Sequence, residues 1–332
     1  MTLSGGDEMR LLITGGAGFI GSNYVRLALS GAYPELAGAE IVVLDKLTYA
    51  GNPANLDPVA DHPRFTFVKG DILDAAVVDE LMASCDQVIH FAAESHVDRS
   101  IQGAAAFVQT NVVGTQTLLD AARRAGVERF VHVSTDEVYG SIESGSWTED
   151  HILEPNSPYS ASKASSDLVA LAYHRTHGVP VSVTRCSNNY GPYQYPEKVI
   201  PLFVTNLLDG LTVPLYGDGL NVRDWLHVDD HCQGIELVRA GGRAGEVYNI
   251  GGGRELTNRE LTGLLLEACG AGWDRVEHVE DRLAHDRRYS VDHGKIRAEL
   301  GYVPQRSFEE GLAATVEWYR EQRGWWEPLK NR

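Results

Sequence analysis

The chain has 332 residues, 43% hydrophobic and 23% charged, an ordinary globular composition with ample material for a core. With 29 basic against 46 acidic residues its net charge is −17, which excludes a nucleic-acid-polymer surface built on bulk charge. No apolar run approaches the ~18 residues of a membrane span, and four dispersed cysteines (Cys85, Cys186, Cys232, Cys269) without a CxxC pair read as reduced, cytoplasmic thiols.

Residues 1–8 read as a frayed extension with no secretory signal. An apolar strand over residues 9–14 then ends in Gly15-Gly16-Ala17-Gly18-Phe19-Ile20-Gly21-Ser22, and a helix follows over 19–30. Residues 41–45 are a β-branched strand ending in an acid, which completes a βαβ unit. The rhythm repeats with a strand over 65–68 ending at Gly70-Asp71-Ile72 and a helix over 73–84. A strand over 87–91 ends in Ala92-Ala93-Glu94-Ser95-His96, and a long helical segment covers 104–125. A strand over 129–133 ends in Ser134-Thr135-Asp136-Glu137, followed by a helix over 159–177 and a strand over 181–184. Strands alternating with helices at this spacing predict an α/β fold with a doubly wound, mostly parallel sheet.

Beyond residue 187 the rhythm loosens. Pro192, Pro196, Pro201 and Pro214 punctuate shorter segments, with helices near 229–240, 257–269 and 307–322. The expected division is a dinucleotide-binding domain over 9–187 and a smaller mixed α/β lobe for substrate over 188–332, with some exchange of chain between them.

Gly15, Gly18 and Gly21 sit between strand and helix with GxxGxxG spacing. Glycines there allow a sharp turn and close backbone approach to a pyrophosphate, which the positive end of the helix favours. Asp45 at the end of the second strand fits the ribose hydroxyls of adenosine, or is a plain strand-end carboxylate. In the first role it repels a 2′-phosphate, so NAD is expected over NADP. Asp71 and Ile72 border an adenine, or Asp71 caps the next helix.

Tyr159 and Lys163 are spaced i, i+4 at the start of a helix and share one face. An ammonium near a phenol lowers its pKa, so the pair suits proton removal from a sugar hydroxyl as hydride leaves the same carbon; the plainer alternative is a surface pair. Asp136 and Glu137 follow Thr135 at the edge where such sheets bind ligands. Two carboxylates in unlike environments can divide acid and base work in a dehydration, or they are solvated turn residues. The twelve histidines form no metal-ligand set, so no metal is expected; His90 and His96 read as packing or cofactor-wall groups, and Trp325 and Trp326 as anchors of the tail.

The strings LDKLTYAGN (44–52), HFAAESHVDRSI (90–101), STDEVYG (134–140) and RCSNNYGP (185–192), with the glycine turn, YSASK (159–163) and the stretches 216–230 and 281–289, span nearly the whole chain from residue 9. In them the chain resembles the extended short-chain dehydrogenase/reductases and, among these, the dTDP-glucose 4,6-dehydratases. The resemblance implies a Rossmann-type sheet and a tightly held NAD regenerated in each turnover. It implies proton removal from sugar O4 by Tyr159, aided by Thr135 and Lys163, then loss of water with Glu137 as base and Asp136 as acid. It places Phe19, Ile20, Asp45, Lys46, Leu47, Thr48, Asp71, Ile72, Ala92, Ala93, Ser95, Thr110 and Asn189 around NAD, beside the glycines and the Tyr/Lys pair. It places Asn188, Lys198, Val199, Pro214, Tyr216, Arg223, Asn258, Arg282, His285 and Tyr289 around the nucleotide sugar, with Ser95 and Thr135 near its hexose. A homodimer through the helices of 104–125 and 159–177 is also implied. Where such proteins carry Asp-Arg-Pro-Gly-His-Asp, this chain has Asp281-Arg282-Leu283-Ala284-His285-Asp286, which changes the backbone freedom of that loop. The same scaffold serves 4-epimerases and GDP-mannose-type dehydratases; an epimerase needs no acid/base pair for elimination, and a cofactor-binding sensor needs neither that pair nor the Tyr/Lys pair.

Overall fold

Runs of Val, Ile and Leu without polar alternation specify strands covered on both faces. Three of them form the centre of the sheet: β1 (Arg10–Thr14), β2 (Glu40–Asp45) and β4 (Gln87–His90), with β3 (Phe65–Lys69) beyond β2. β5 (Arg129–Thr135) and β6 (Val181–Cys186) continue the other side. The computed structural model describes residues 9–281, 283 and 285–330. The expected extension over 1–8 and the expected substrate residue Arg282 lie outside the described residues.

Short strands follow β6: β7 (Asn188–Tyr190), β8 (Val213–Tyr216), β9 (Val222–His227), β10 (Val247–Ile250), β11 (Glu255–Thr257) and β12 (Val276–Val279). The large sheet has seven strands in the order β10-β6-β5-β4-β1-β2-β3, a doubly wound Rossmann-type arrangement. β1 pairs in parallel with both β2 and β4, and β2–β3 and β4–β5 are parallel as well. The carboxyl ends of β1 to β5 therefore share one edge, and the order of strand addition reverses beside β1, where such sheets bind ligands. A second sheet has the order β11-β9-β7, and β12 pairs with β8.

The chain forms two compact units, Met1–Ser134, Ser162–Thr184 and Ile235–Val247 against Thr135–Ala161, Arg185–Gly234 and Tyr248–Arg332. The division is thus not one cut near residue 187: residues 135–161 belong to the second unit and 235–247 to the first. Leu12, Leu44, Val88, Leu118, Phe130 and Val181 are part of the core of the first unit. Tyr190, Phe203, Trp225, Leu312, Tyr319 and Trp326 do the same for the second. Trp326 is fully buried and its indole N–H donates to Tyr319 O at 2.7 Å, which anchors the tail as expected.

Two helices bear on the site. The segment expected to be one helix over 104–125 is α-helical at Ala105–Phe107 and Thr115–Ala125 and a π-helix between them, at Val108–Gly114. Such π segments gather at functional sites. The helix Pro158–His177 opens on a proline, with Ser157 and Ser160 each accepting the other's backbone N–H at 3.0 Å.

Candidate active site

In the first unit the chain leaves β1 through Gly15, at φ +71°. A Cβ on Gly15 would stand 2.5 Å from Ala92 N, and one on Gly21 would run into Gly15 O, so the fold itself requires both glycines. Gly18 differs: its φ of −76° suits any residue, and a Cβ there would stand 3.3 Å from Gly15 O. Gly18 also heads the helix Phe19–Leu29, which has no side-chain cap, so the positive helix end is left for an anion such as a pyrophosphate.

Asp45 ends β2 with its carboxylate turned back on the glycine turn. Oδ2 accepts from Ala17 N at 2.9 Å and Oδ1 from Leu47 N at 2.8 Å. Burial pushes its carboxyl up against these two bonds. Asp45 is therefore a brace for the turn, and each oxygen keeps a lone pair for a ribose hydroxyl. Lys46 pairs with Asp71 at 2.7 Å. Burial of Asp71 is outweighed by that bond and by Leu73 N–H, so its carboxyl lies below its usual range. Asp74 rather than Asp71 caps the helix Ala75–Met82, and Ile72 packs into the core.

Thr48 accepts from Gly51 N at 3.1 Å beyond Leu47, which itself has φ +59°. Ala92, Ala93 and Ser95 lie on the loop after β4, and Thr110 lies in the π segment. These places share the edge at which β1 to β4 end. A buried hydrogen-bond chain fixes the edge from below. Thr14 Oγ1 meets His90 Nδ1 at 2.7 Å, and His90 Nε2 meets Thr115 Oγ1 at 2.9 Å. Asn111, which no sequence motif marked, bonds Glu94 N and Ser162 Oγ at 2.8 Å each. Burial, then His132 and Lys163, hold His90 well below its usual pKa, so it is a neutral packing group. His96 caps the helix Val97–Gln102.

The acid/base candidates stand in the second unit. Thr135 ends β5, and Asp136–Tyr139 make one 3-10 turn capped by the Thr135 hydroxyl. That hydroxyl accepts from Glu137 N at 3.3 Å, lies 3.4 Å from Asp136 Oδ1, and hydrogen-bonds Tyr159. Asp136 is only 2% exposed, so it is no solvated turn residue. Burial, then the charges of Glu137 and Asp224, push its carboxyl far up, against Arg223 and Thr135. A neutral acid beside a second carboxylate is the pairing an elimination needs.

Tyr159 and Lys163 are both buried, which removes the surface-pair alternative. The expected lowering of the phenol is not what this structure has. Burial, then Glu137 and Cys186, push Tyr159 well above its usual range. In the first unit Lys163 Nζ donates to Val133 O at 2.8 Å. Burial of Tyr159 and the charge of Glu137 favour its protonated form, and added positive charge would favour the phenolate.

Most expected substrate residues also lie in the second unit. Arg223 is buried; its guanidinium lies 4.2 Å from the Tyr289 ring centroid and donates to Asp286 O at 2.8 Å. Tyr289 donates to Asp286 Oδ2 at 2.6 Å. Asn188 Oδ1 has no hydrogen-bond partner among the described residues. Asn189 Oδ1 and His231 Nδ1 are 2.9 Å apart. Lys198 and Val199 head the helix Val199–Leu208, Pro214 and Tyr216 lie on β8, and Asn258 opens the helix Asn258–Cys269. His285 Nδ1 bonds Asp281 Oδ1 at 2.5 Å. In the divergent loop Leu283 is 75% exposed, and paired bonds from Arg287 to Asp218 and from Arg288 to Glu255 tie the flanking chain down.

Asp286 and the group Tyr139, Arg185 and Asn249 were not singled out from sequence. Tyr139 donates to Asn249 Oδ1 at 2.9 Å and stacks on Trp147 with centroids 5.4 Å apart. No sequence spacing signals partners so far apart along the chain. Among the described residues no group of three or more His, Cys, Asp or Glu could hold a metal ion.

The family described as GDP-mannose 4,6 dehydratase matches residues 12–315. A dTDP-glucose 4,6-dehydratase of Streptomyces antibioticus is 68% identical over 98% of this chain and 96% of its own. The dTDP-glucose 4,6-dehydratase of Streptomyces venezuelae, solved with NAD bound, superposes with a TM-score of 0.96 at 69% identity, covering 97% of this chain and all (100%) of that one. A UDP-glucose 4-epimerase of Thermotoga maritima, solved with UDP-glucose, shares the fold at TM-score 0.87 and 33% identity, covering 95% of this chain and 100% of that one.

Proposed function

The chain belongs to the GDP-mannose 4,6-dehydratase family, and we propose that it dehydrates dTDP-glucose to dTDP-4-keto-6-deoxyglucose with NAD as a resident cofactor. The carrying observation is Asp136 beside Glu137: the Asp136 carboxyl is only 2% exposed, and its burial favours the acid form. A 4-epimerase has no use for it.

The residues of the first unit fit NAD. The uncapped helix end and bare Gly18 suit a pyrophosphate, and Asp45 suits a ribose with a free 2′-hydroxyl. NAD, when bound, would supply the acceptor and later the donor of the hydride that moves from C4 to C6.

Tyr159 removes the O4 proton, with the Thr135 hydroxyl orienting its oxygen and Lys163 as the nearby ammonium. The resulting C4 ketone acidifies the C5 hydrogen. Glu137 takes that C5 proton while Asp136 gives its own to the C6 hydroxyl. The C6–O bond breaks, water departs and a C5–C6 double bond forms. Glu137 then returns its proton to C5 as C6 is reduced. Asp136 ends as an anion and recovers a proton equal to the one Tyr159 took, so each turnover loses one water and nothing else. Arg223 offers paired donors for the diphosphate, with Asn188, Lys198, Asn258, His285 and Tyr289 lining the nucleotide sugar.

The decisive test uses dTDP-glucose carrying deuterium at C4. Deuterium found at C6 of the same molecule supports the dehydratase. Deuterium kept at C4 of an epimerised sugar rejects it in favour of an epimerase.

Self-association as a homodimer is part of the proposal. Val108 (47%), Val113 (37%) and Leu168 (56%) leave apolar side chains exposed on the two helical segments expected to pair. The four free cysteines support a reducing, cytoplasmic setting.

A further inference from the structure

The second unit buries another carboxyl that the mechanism leaves unused. Asp224 on β9 is 2% exposed. Its Oδ2 accepts the Ser187 hydroxyl and Gly252 N–H, the latter at 3.0 Å, and its Oδ1 accepts Arg254 N–H at 2.8 Å. Gly252 is held in place, since a Cβ there would collide with Trp225 O. Asp224 is thus a carboxylate with three donors built around it.

Asp136 is its opposite. Its Oδ1 has the Thr135 hydroxyl at 3.4 Å, and its Oδ2 has no hydrogen-bond partner among the described residues. Where buried carboxyls interact, the one rich in donors keeps its charge and the one poor in donors takes the proton.

We propose that Asp224 is a positioning residue for the elimination, an anion fixed by Ser187, Gly252 and Arg254 that keeps Asp136 in the form able to protonate the departing C6 hydroxyl. The proposal rests on the dehydratase reading. Asp136 follows β5, and Ser187, which holds Asp224, follows its sheet neighbour β6. Burial raises the Asp224 carboxyl as well, but its three donors and His293 oppose the rise, whereas Asp136 is pushed well above its usual range. After burial and Glu137, Asp224 is the next cause that raises Asp136, and Arg223 and Thr135 oppose it. The other groups around the pair are Tyr159, which feels Asp136, and His293 and Tyr302, which face Asp224. Arg223 is the positive partner that opposes the rise of Asp136, and His293 opposes that of Asp224. The step itself balances as written above: the Asp136 O–H and C6–O bonds break, water forms, and Glu137 holds the C5 proton.

The test compares the full-length, NAD-loaded protein with Asp224→Asn and Ser187→Ala in single turnover of dTDP-glucose across pH. Water loss and C4 oxidation are followed separately. Asp224→Asn is expected to move the alkaline limb of water loss down by about one pH unit, roughly tenfold slower on that side. Ser187→Ala, which keeps the carboxylate but weakens its hold on charge, moves it the same way by less. C4 oxidation retains its pH profile in both. A limb that stays in place in Ser187→Ala and in any folded Asp224→Asn, with rates lowered equally at every pH, overturns the proposal and makes Asp224 a packing residue. Failure of the unsubstituted protein to yield a 4-keto-6-deoxy product is a distinct result that overturns the dehydratase reading itself.

Discussion

The guanidinium of Arg185 donates to the Tyr139 hydroxyl at 2.8 Å while its carbon lies 4.8 Å from the centroid of the same ring. Tyr139 ends the turn that begins with Asp136 and Glu137, so a buried cation fixes that turn at its far end. Burial pushes the phenol up to about 12 despite Arg185, so it stays a neutral hydrogen-bonding post.

Tyr139→Phe keeps the ring and removes the post. Arg185 and Asn249 each lose a partner inside the protein, at a cost of about 1–3 kcal/mol. The expected result is a lower melting temperature and a kcat for water loss reduced about tenfold, with KM and C4 oxidation little changed. Equal loss in both chemical steps would reject a role for the turn in elimination.

Glu137→Gln removes the proposed base and leaves its shape. C4 oxidation is expected to continue and water loss to slow by about 10²–10⁴-fold. Reduced cofactor then builds up in single turnover, visible by its near-ultraviolet absorbance. Unimpaired formation of the 6-deoxy product would sink the assignment.

The glycines make a paired prediction. Gly15→Ala forces a left-handed φ on alanine and drives its Cβ into Ala92, so the variant loses about 2 kcal/mol or more. Gly18→Ala needs only a slight adjustment in the protein, but its methyl would stand at the proposed pyrophosphate site. It should melt close to the parent without cofactor and lose most of the stabilisation that NAD confers. Melting curves with and without NAD decide it, and a Gly18→Ala protein stabilised as fully as the parent contradicts the placement.

Acid should weaken the fold through His231. Burial pushes this imidazole down to about 3, against ~6.5 in an unfolded chain. Between those values the unfolded chain binds a proton that the folded chain refuses. Stability therefore falls as pH drops through that window, by up to ~1.4 kcal/mol per unit for one site. Buried His90 acts with the same sign. His231→Gln, which can still donate to Asn189, is expected to flatten the fall in melting temperature below pH ~6.5. A slope unchanged or steeper than the parent's refutes this.

The sequence carried the first six strands to within a few residues, because β-branched and apolar residues concentrate in each and helical stretches separate them at regular spacing. It carried the acid/base and Tyr/Lys candidates because their spacing is local. The short strands after Cys186 were hidden. β10 enters the large sheet beside β6, and β7, β9 and β11 join across long gaps, so their pairing depends on tertiary neighbours that no local period records. The π segment was hidden inside one helical pattern, since a single wide turn barely disturbs the apolar stripe. Asp224 escaped for the same reason as β10: what distinguishes it from an ordinary strand carboxylate is three donors drawn from residues 187, 252 and 254. The direction of the Tyr159 shift was missed because spacing reveals a cation one helical turn away but not the depth of burial.

If Asp45 meets the ribose as proposed, its second duty as the brace of the turn limits how this protein can change cofactor in evolution or by design. A ribose phosphate is usually admitted by replacing the acid at the second strand with a small or basic residue. Here that replacement also releases Ala17 N and Leu47 N, and with them the turn proposed to seat the pyrophosphate. A lineage moving from NAD to NADP would need a compensating acceptor for those two amides before it gained anything from losing the charge. Asp45 thus acts as a ratchet on cofactor choice.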